Sequence, residues 1–577
     1  DVLGNYSENT TENSGSFRAE VAAPGFINFY LENTELSRNL EEVLNASEKV
    51  GRTGKMSGKK VILEFTDPNP FKEFHIGHVY TNTIGEALSR LYEAVGATVH
   101  RADYFGDVGM HVAKALFGLQ KMFEEDGTNM DTLSQKPLND RIAYFGQAYA
   151  KGSSIYEEDT QAQEEMKALN KLVYLAAQKM WQEEKGITPQ VDYRQGAEID
   201  EEKLTSVYNL YRRGREWSLE YFDSIYKRLG MKFAGYYPES IAGEKGFALV
   251  REHISDGVFV EDNGAVIFPG KDHNLHNRVF INSLGLPTYE AKELGLAVWK
   301  NEEFPYDFSI IITGNEINEY FKVLMKALSL IKPDLAAKSK HIGHGMVKLA
   351  SGKKMSSRTG QIIAGEDVLD EAKNLAKQKI AEAKLQKDTV EGEDEDNIAE
   401  KVGVGAIKYS FLKSSIGNDI PFSFEESVSF DGNAGPYVQY TYTRTQSVLG
   451  KAEGHPGEAT TSIGSYKEDS IASSNNNWNS LQNDISYQPQ KEETEILRKL
   501  YHFSEIVEEA ALTFSPNSLT EYLFELSQMF NNFYQKYRIL NAPKEEEKRF
   551  RLGLTQTVGI VIREGLYLLG IESPEKM

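Results

Sequence analysis

The first residues that could do chemistry lie in FHIGHVY (74–80), where two histidines flank an isoleucine and a glycine. An apolar run and a proline-rich loop precede them and a helical periodicity follows, so they stand where a helix begins after a strand. Free N–H groups and the helix dipole favour phosphate at such a position. His75 and His78 are therefore predicted to donate hydrogen bonds to phosphate oxygens, and Gly77 to leave room for a nucleotide against the backbone.

The same tetrapeptide recurs in KHIGHGM (340–346), just ahead of the loop SGKKMSSRTG (351–360). The second copy alternates as a strand does and precedes no helix, so His341 and His344 are predicted to be mainly structural. Lysines and serines in a glycine-flanked loop can fold over a triphosphate and offset its charge. The loop residues predicted to bind ATP are Lys354, Met355, Ser356 and Ser357.

A nucleotide-binding sheet is needed to position both motifs, and the sequence contains its pattern. KKVILEF (59–65) is an apolar run typical of a buried parallel strand. Apolar residues at spacings of three and four then predict a helix that ends near Gly96, and ATVHRADYF (97–105) predicts the next strand. YDFSIIITG (306–314) predicts a later strand of the same sheet. The expected fold is a multidomain α/β protein with a Rossmann-type parallel sheet, interrupted by an insertion and followed by an all-α region.

The composition is that of an ordinary globular protein and excludes several kinds of site. The 577 residues are 40% hydrophobic and 26% charged, and no run approaches the ~18 apolar residues of a membrane span. The absence of cysteine excludes disulfides and cysteine-based zinc ribbons, and fits a cytoplasmic location. A net charge of −22 means that a nucleic acid must bind at local basic patches. The residues expected to form such a patch are Lys536, Arg538, Arg549 and Arg551.

The pairing of HIGH with a KMSS-containing loop resembles the two signatures of the class I aminoacyl-tRNA synthetases, HIGH and KMSKS. Five segments are similar to those of the arginyl-tRNA synthetase family: EVAAPGFINFYL (20–31), EFTDPNPFKEFHIGH (64–78), GLPTYEAKELGLA (285–297), NAGPYVQYTYTR (433–444) and LLGIESPEKM (568–577). The resemblance implies that arginine is activated with ATP and Mg²⁺ as arginyl-adenylate and then transferred to the 3′ end of tRNA(Arg). It also implies that bound tRNA is needed for the first step.

The resemblance divides the chain into regions with different expected tasks. In chain order these are a remnant of an N-terminal tRNA-contacting domain (1–45), the first half of the catalytic domain (46–115), an insertion (116–274), the second half of the catalytic domain (275–360), a helical region that contacts the tRNA stem (361–430) and an α-helical anticodon-binding domain (431–577). Residues 452–490 are rich in serine, asparagine and glycine, and are predicted to be disordered.

A pocket for arginine needs carboxylate, amide or phenol acceptors, because the guanidinium is planar, always charged and rich in donors. The positions that match the family's arginine pocket are Glu64, Asn69, Tyr289 and Glu293. The first two follow the first strand, at the carboxyl edge where such sheets bind ligands. The other two are four residues apart and share a face if that segment is helical. The family usually has aspartate in place of Glu293, which would shift the guanidinium contact by one methylene.

A second departure from the family is Ser357, which stands where KMSKS has its second lysine. Some family members without that lysine instead carry one shortly before HIGH, and Lys72 occupies that place. The catalytic residues implied by the resemblance are therefore His75, His78, Lys72 and Lys354. In TGNEINEYF (313–321) the match is poor, and Glu316 and Asn318 are candidates for ATP contacts.

The helical C-terminal region is expected to contact tRNA, because unstacked bases bind aromatic rings and arginine. The residues expected to make these contacts are Tyr437, Gln439, Tyr440, Tyr442 and Arg444. The tyrosines could instead pack the helix bundle, and that interpretation stays open here. We expect a monomer with no resident metal and no membrane partner.

Three other functions compete with this hypothesis. The chain could be another class I synthetase, for cysteine or leucine, although the absence of cysteine argues against the zinc-dependent ones. It could be a nucleotidyltransferase with a His-x-Gly-His motif, although such enzymes are much shorter. It could also be an inactive synthetase-like module that binds RNA, against which the intact histidines and loop lysine weigh.

Overall fold

The computed structural model describes residues 17–22, 25–31, 33–46, 49–194, 198–349, 363–385, 395–454 and 487–577. The loop at 351–360 and the segment predicted to be disordered, apart from its two ends, lie outside these residues. Across the described ranges, no helix is both long and apolar enough to span a membrane.

The strands form one larger parallel sheet and three small sheets. They are β1 (Phe17–Ala22), β2 (Phe26–Leu31), β3 (Lys60–Glu64), β4 (Thr98–Phe105), β5 (Gly235–Pro238), β6 (Val260–Asp262), β7 (Ala265–Phe268), β8 (Arg278–Ile281), β9 (Phe308–Gly314), β10 (Ser339–His344), β11 (Val347–Leu349) and β12 (Ile420–Phe422). The small sheets pair β1 with β2, β11 with β12, and β6 and β8 with β7.

Helices account for most of the remaining described residues. They are α1 (Asn33–Ala46), α2 (Ile76–Ala94), α3 (Met110–Asp126), α4 (Met130–Ser134), α5 (Leu138–Glu158), α6 (Thr160–Lys185), α7 (Glu201–Arg228), α8 (Glu239–Glu252), α9 (Tyr289–Glu303), α10 (Asn318–Ile331), α11 (Pro333–Lys338), α12 (Gly365–Leu385), α13 (Glu395–Leu412), α14 (Phe424–Ser427), α15 (Gly435–Ala452), α16 (Lys491–Tyr501), α17 (Phe503–Leu512), α18 (Pro516–Lys536) and α19 (Glu545–Leu568). Short 3₁₀ turns span Gly270–His273 and Asn315–Ile317.

The five-stranded parallel sheet has β3 at its centre, in the order β10-β9-β3-β4-β5. Val61, Ile62 and Leu63 in β3 are fully buried, because layers cover both faces of the sheet. This explains why the strand reads as a continuous apolar run rather than an alternating one. Since all strands run the same way, their carboxyl ends meet at one edge, where such folds bind ligands. The predicted fold class is confirmed.

The insertion predicted at 116–274 is too long, because it includes strand β5 of the main sheet. This strand pairs in parallel with β4, with Ala102 opposite Gly235 and Phe105 opposite Pro238, and so belongs to the main sheet. Its four residues, GYYP, are too few for a periodicity, and a terminal proline weakens a strand signal further. The segment between the sheet strands is therefore shorter than the sequence indicated.

The chain folds into two compact units. One contains the parallel sheet and consists of Met56–Glu371 and Ser414–Ser423. The other consists of Asp1–Lys55, Ala372–Lys413 and Phe424–Met577, and its described residues are helical apart from the β1–β2 hairpin.

The helical unit has its own apolar core. Helix α15 packs against α13, α18 and α19, while α1 packs against α16 and α19. Val438, Leu523, Phe530 and Val558 are fully buried between these helices. Helix α1, from the N-terminal part of the sequence, therefore shares a core with the C-terminal helices.

Candidate active site

A strained loop leads from the central strand β3 to helix α2. Three of its non-glycine residues have positive φ: Thr66 (86°), Asp67 (49°) and Phe71 (66°). Two hydrogen bonds hold it, from Asn82 Nδ2 to Thr66 Oγ1 at 3.0 Å and from the Phe71 N–H to Ser218 Oγ at 2.9 Å. Such conformations cost energy and are concentrated at functional sites, where the surrounding structure enforces them.

His75 and His78 form a reciprocal cap at the start of helix α2. The backbone N–H of His78 donates to His75 Nδ1 at 3.3 Å, and the backbone N–H of His75 donates to His78 Nδ1 at 3.1 Å. A ring nitrogen that accepts a hydrogen bond has no proton, so each neutral imidazole is protonated at Nε2. Burial lowers the pKa of His75 to about 4 and that of His78 well below its usual value. At pH 7 the helix therefore begins with two neutral rings, stacked 3.6 Å apart, whose Nε2–H groups can donate.

Gly77 and Lys72 flank this pair. A Cβ on Gly77 would lie 3.0 Å from Cε1 and Nδ1 of His75, so the absence of a side chain makes room for the His75 ring. Gly77 is predicted to leave room for a nucleotide, and the structure shows that its missing side chain also leaves room for the His75 ring. The Lys72 ammonium lies 4.0 Å from the centre of the Tyr149 ring, and burial lowers the pKa of Lys72.

The second HIGH copy forms strand β10, as predicted. The His341 ring stacks on Phe321 at 3.8 Å, and its Nε2 lies 2.7 Å from Thr313 Oγ1. His344 is buried, and its Nε2 lies 2.8 Å from Thr81 Oγ1 in helix α2. These contacts tie β10 to its neighbours, which agrees with a mainly structural role for the second copy.

Of the other residues predicted to contact ATP, two lie around the carboxyl ends of β9 and β10 and four are outside the described residues. The residues outside the described ranges are Lys354, Met355, Ser356 and Ser357. The Glu316 side chain lies against Gly314 at the end of β9. A Cβ atom added to that glycine would be 2.3 Å from Glu316 Oε2. Asn318 similarly covers Gly343, where a Cβ would lie 2.2 Å from Asn318 Oδ1. Both side chains thus lie at the ligand-binding edge of the sheet.

Glu64 ends β3 at this edge and is only 1% exposed. Its carboxylate forms a buried ion pair with Lys300 of helix α9, whose ammonium also lies 3.4 Å from Ser309 Oγ. Burial, followed by the charge of Glu64, raises the pKa of Glu293 well above its usual value, while Lys300 opposes that shift. Glu64 is therefore already neutralised within the protein, and Glu293 has no ion-pair partner among the described residues.

Several buried polar atoms near these carboxylates lack a hydrogen-bond partner within the described part of the chain: Asp67 Oδ1, Asp103 Oδ1, Tyr104 Oη and Tyr320 Oη. Asp103 is 1% exposed, and its other oxygen accepts a hydrogen bond from Tyr226 at 2.8 Å. Burial raises the pKa of Asp103 to about 7. Burial and the nearby carboxylates also raise the pKa of Asp67 well above its usual value. Since buried polar groups in native proteins are normally paired, this cluster fits a polar, cationic ligand.

Asn69 and Tyr289 converge on one side of this cluster, around Gly106 and His111. A Cβ on Gly106 would lie 2.3 Å from Asn69 Oδ1 and 3.2 Å from the His111 ring. The Tyr289 hydroxyl lies 3.2 Å from His111 Nδ1. Tyr289 begins helix α9, with Glu293 one turn later, so the predicted helical spacing of this pair is confirmed. Neither His111 nor Lys300 was predicted as a site residue.

In the helical unit, the prediction that Gln439 contacts tRNA is wrong. Gln439 is fully buried, and its Nε2 donates to the carbonyls of Lys401 at 3.2 Å and Glu572 at 2.8 Å. Its amide holds the C-terminal segment against helix α15 and cannot reach a base. No local pattern indicates this role, because both partners are distant in the chain.

Tyr437, Tyr440 and Arg444 lie on helix α15 and are partly exposed. Tyr442 on the same helix is only 5% exposed and packs within the helical unit, so the prediction that it contacts tRNA is wrong. The Arg444 guanidinium lies 4.8 Å from the centre of the Tyr440 ring and 5.1 Å from that of Tyr534. The Tyr437 hydroxyl accepts a hydrogen bond from Asn531 Nδ2 at 3.0 Å. Arginine and tyrosine thus form one stacked cluster at the surface of the helical unit.

Two of the four cations expected to form a basic patch, Lys536, Arg538, Arg549 and Arg551, form ion pairs within the helical unit. Arg551 is 3% exposed and pairs with Glu493 at 2.7 Å and with Glu547 at 2.5 Å. Lys536 pairs with Glu492. Arg551 therefore serves the fold of the helical unit, and its predicted place in a basic patch is wrong. Lys536 keeps an exposed side chain, and its place in the patch stays a prediction.

The site combines a parallel sheet, neutral histidines at the start of helix α2 and acids at the carboxyl edge of the sheet. These features are those of a nucleotide-binding enzyme of the class I synthetase kind. Residues 39–424 match the tRNA synthetases class I (R), catalytic domain, and the chain belongs to that family. Residues 438–577 match the DALR anticodon binding domain. The family is one of ATP-using enzymes.

Similar proteins and structures agree with this assignment. The chain is 29% identical over 566 residues to "Arginine--tRNA ligase" of Clostridium botulinum, covering 98% of this chain and 89% of the relative. It is 28% identical over 571 residues to the protein of that name from Clostridium beijerinckii, covering 99% and 90%. In fold, it is similar to the arginyl-tRNA synthetases of Thermus thermophilus (23% identity, TM-score 0.68, covering 97% and 89%) and Plasmodium falciparum (19%, 0.68, covering 98% and 87%).

Proposed function

We propose that this chain is an arginine–tRNA ligase. It joins arginine to ATP as arginyl-adenylate with release of pyrophosphate, and then transfers the arginyl group to the 3′-terminal adenosine of tRNA(Arg). The observation that carries the proposal is the excess of buried and half-buried carboxylates at the carboxyl edge of the sheet. Lys300 neutralises Glu64, and Asp67 and Glu293 remain for a substrate cation.

Arginine fits this charge better than a neutral amino acid does. Its guanidinium would bring one positive charge and five N–H donors to carboxylates that have no ion-pair partner among the described residues. Asn69 and Tyr289 add neutral acceptors beside them. Binding would remove like-charge repulsion between the carboxylates, so recognition of the charge and relief of repulsion act in the same direction.

The chemical step is an in-line attack of the arginine carboxylate on the α-phosphate of ATP, with pyrophosphate as the leaving group. His75 and His78 would donate their Nε2–H groups to phosphate oxygens as charge develops there, without exchanging protons. Lys72 and Lys354 would offset the remaining phosphate charge. Mg²⁺ enters on the phosphates of ATP, as part of that substrate.

The tRNA would bind through both units of the chain. We assign anticodon contact to the cluster of Tyr437, Tyr440 and Arg444, where an unstacked base can stack on a ring or guanidinium plane. The match to an anticodon binding domain over residues 438–577 supports this placement. The regions assigned from sequence after residue 45, with β5 added to the catalytic sheet, complete the proposal together with a cytoplasmic location, a monomeric state and a requirement for tRNA in the first step.

The test is charging of tRNA. Purified protein, ATP, Mg²⁺, labelled arginine and total tRNA should produce an arginine ester that is labile at alkaline pH. A chain that binds tRNA but forms neither ester nor adenylate would instead be an inactive RNA-binding module. Sedimentation at micromolar concentration checks the monomer in the same preparation.

A further inference from the structure

We propose that His111 is a positioning residue that fixes the direction of the Tyr289 hydroxyl, so that this phenol can only accept hydrogen bonds from the substrate. The inference rests on the proposed function, since it specifies how the same pocket tells arginine from its uncharged analogues. His111 is a buried histidine with two hydrogen-bond partners, and it has no part in the adenylation chemistry proposed above.

The protonated nitrogen of His111 follows from its partners. His111 Nε2 lies 2.7 Å from the carbonyl oxygen of Gly106, which can only accept, so Nε2 carries the proton. In the neutral ring Nδ1 is then an acceptor, and it lies 3.2 Å from the Tyr289 hydroxyl. The tyrosine must therefore donate its single proton to His111. Its oxygen keeps only lone pairs for any other partner.

The surroundings hold His111 in this state. It lies in the first turn of helix α3, is 7% exposed, and burial keeps its pKa well below the usual value, with Lys72 and Lys292 acting in the same direction. A neutral ring with Nε2–H bound to a fixed backbone carbonyl cannot exchange its donor and acceptor nitrogens without losing that hydrogen bond.

Tyr289 is held from its other side and remains open to a ligand. The Lys292 ammonium lies 5.0 Å from the centre of the Tyr289 ring and pairs with Glu239 at 2.6 Å, so the lysine is fixed beneath the ring. Tyr289 itself is 53% exposed. The oxygen that His111 has made an acceptor can therefore face the substrate.

An acceptor-only phenol discriminates by chemistry. The guanidinium of arginine presents N–H donors in its plane, whereas citrulline has a carbonyl oxygen in place of one terminal nitrogen. Two oxygen acceptors facing each other repel, and a hydroxyl free to rotate would donate to the citrulline carbonyl instead. A site whose polar groups are fixed for the correct substrate rejects an analogue far better than one that can adapt.

The experiment measures ATP–pyrophosphate exchange with arginine and with citrulline, in the presence of tRNA, for five proteins. They are the wild type, His111→Gln, His111→Leu, Tyr289→Phe and the double variant that combines His111→Leu with Tyr289→Phe. Glutamine has an amide donor for Gly106 and a carbonyl acceptor for Tyr289, so it should keep the wild-type ratio of kcat/KM values. Leucine has neither, and should lower the arginine-to-citrulline ratio at least about tenfold through a higher KM for arginine and a lower KM for citrulline. Tyr289→Phe should lose affinity for arginine without gaining activity with citrulline.

Coupling between the two residues completes the test. Because His111 acts through the hydroxyl, His111→Leu should have no further effect on the ratio once Tyr289 is phenylalanine. Thermal unfolding reports whether each variant folds, and His111→Phe, which keeps a ring of similar size, replaces the leucine variant if that does not fold. An unchanged ratio in the folded His111→Leu variant, or in the His111→Phe variant that replaces it, would overturn the inference while leaving the proposed function intact. Absence of arginine-dependent exchange in the wild type would overturn both.

Discussion

Glu293 offers a substitution whose effects on stability and on substrate binding should have opposite signs. Its carboxylate is held near Glu64 without an ion-pair partner among the described residues, and burial and Glu64 raise its pKa well above 4.5. Glu293→Gln removes the charge while keeping the shape. At a pH where Glu293 would otherwise be ionised, the free protein should then gain unfolding free energy, about 1.4 kcal/mol for each unit by which folding raises that pKa.

Arginine binding should change in the other direction. Losing one partner of a buried, hydrogen-bonded charge pair costs about 2–5 kcal/mol, which corresponds to a rise of roughly 30-fold to several-thousand-fold in the KM for arginine. The KM for ATP should stay near the wild-type value. Urea unfolding and pyrophosphate exchange at varied arginine concentration measure the two effects on one preparation.

The difference in stability between Glu293→Gln and the wild type should depend on pH. Since the pKa of Glu293 is higher in the folded than in the unfolded protein, the folded state binds more protons, and stability falls as the pH rises above about 4.5. The advantage of Glu293→Gln should therefore grow between pH 5 and pH 8. Wild-type affinity for arginine should increase over that interval, because binding a cation releases the proton.

Glu290 on the same helix is the matched control. It is 8% exposed but lies 3.5 Å from Arg278, so its charge has a partner. Glu290→Gln should leave the KM for arginine within about fivefold of wild type, the equivalent of 1 kcal/mol. If both variants raise that KM equally, or if Glu293→Gln destabilises the protein at pH 8, the reasoning about the pocket is refuted.

Three further predictions follow from other contacts. His78→Ala should lower the rate of adenylate formation by about 10²–10³-fold, whereas His341→Ala should mainly lower the melting temperature; equal losses of exchange in two folded variants would contradict this ranking. Lys300→Met should cost about 3–5 kcal/mol in urea unfolding by leaving Glu64 buried and unpaired, and a second change, Glu64→Gln, should restore most of that loss. Gln439→Ala should destabilise the helical unit by about 1–3 kcal/mol and leave the KM for tRNA unchanged in charging assays.

The sequence predicted the central strand, helix α2 and the histidine pair because each depends on neighbouring residues. An apolar run, a three-to-four periodicity and a glycine within HIGH are local signals, and the structure forms each element where they indicated. The strand at the second HIGH copy followed from the same kind of local pattern.

Features that depend on distant partners could not be predicted in this way. Lys300 pairs with Glu64, which is 236 residues away, and in the sequence looks like a solvent-exposed lysine late in a helix. Gln439 lies among tyrosines in a polar-looking segment, yet its partners are two distant carbonyls. His111 had a weak signal, because it follows two glycines just after the carboxyl end of β4. Only the tertiary structure shows that it meets Tyr289.

ATP–pyrophosphate exchange with each of the twenty amino acids, with and without tRNA, tests the central claim most directly. The buried acids at the sheet edge predict exchange with arginine alone, and the proposed function predicts that it requires tRNA. Faster exchange with any other amino acid would contradict the arginine pocket. No exchange with any amino acid, from a folded protein supplied with tRNA, would contradict the assignment as a ligase.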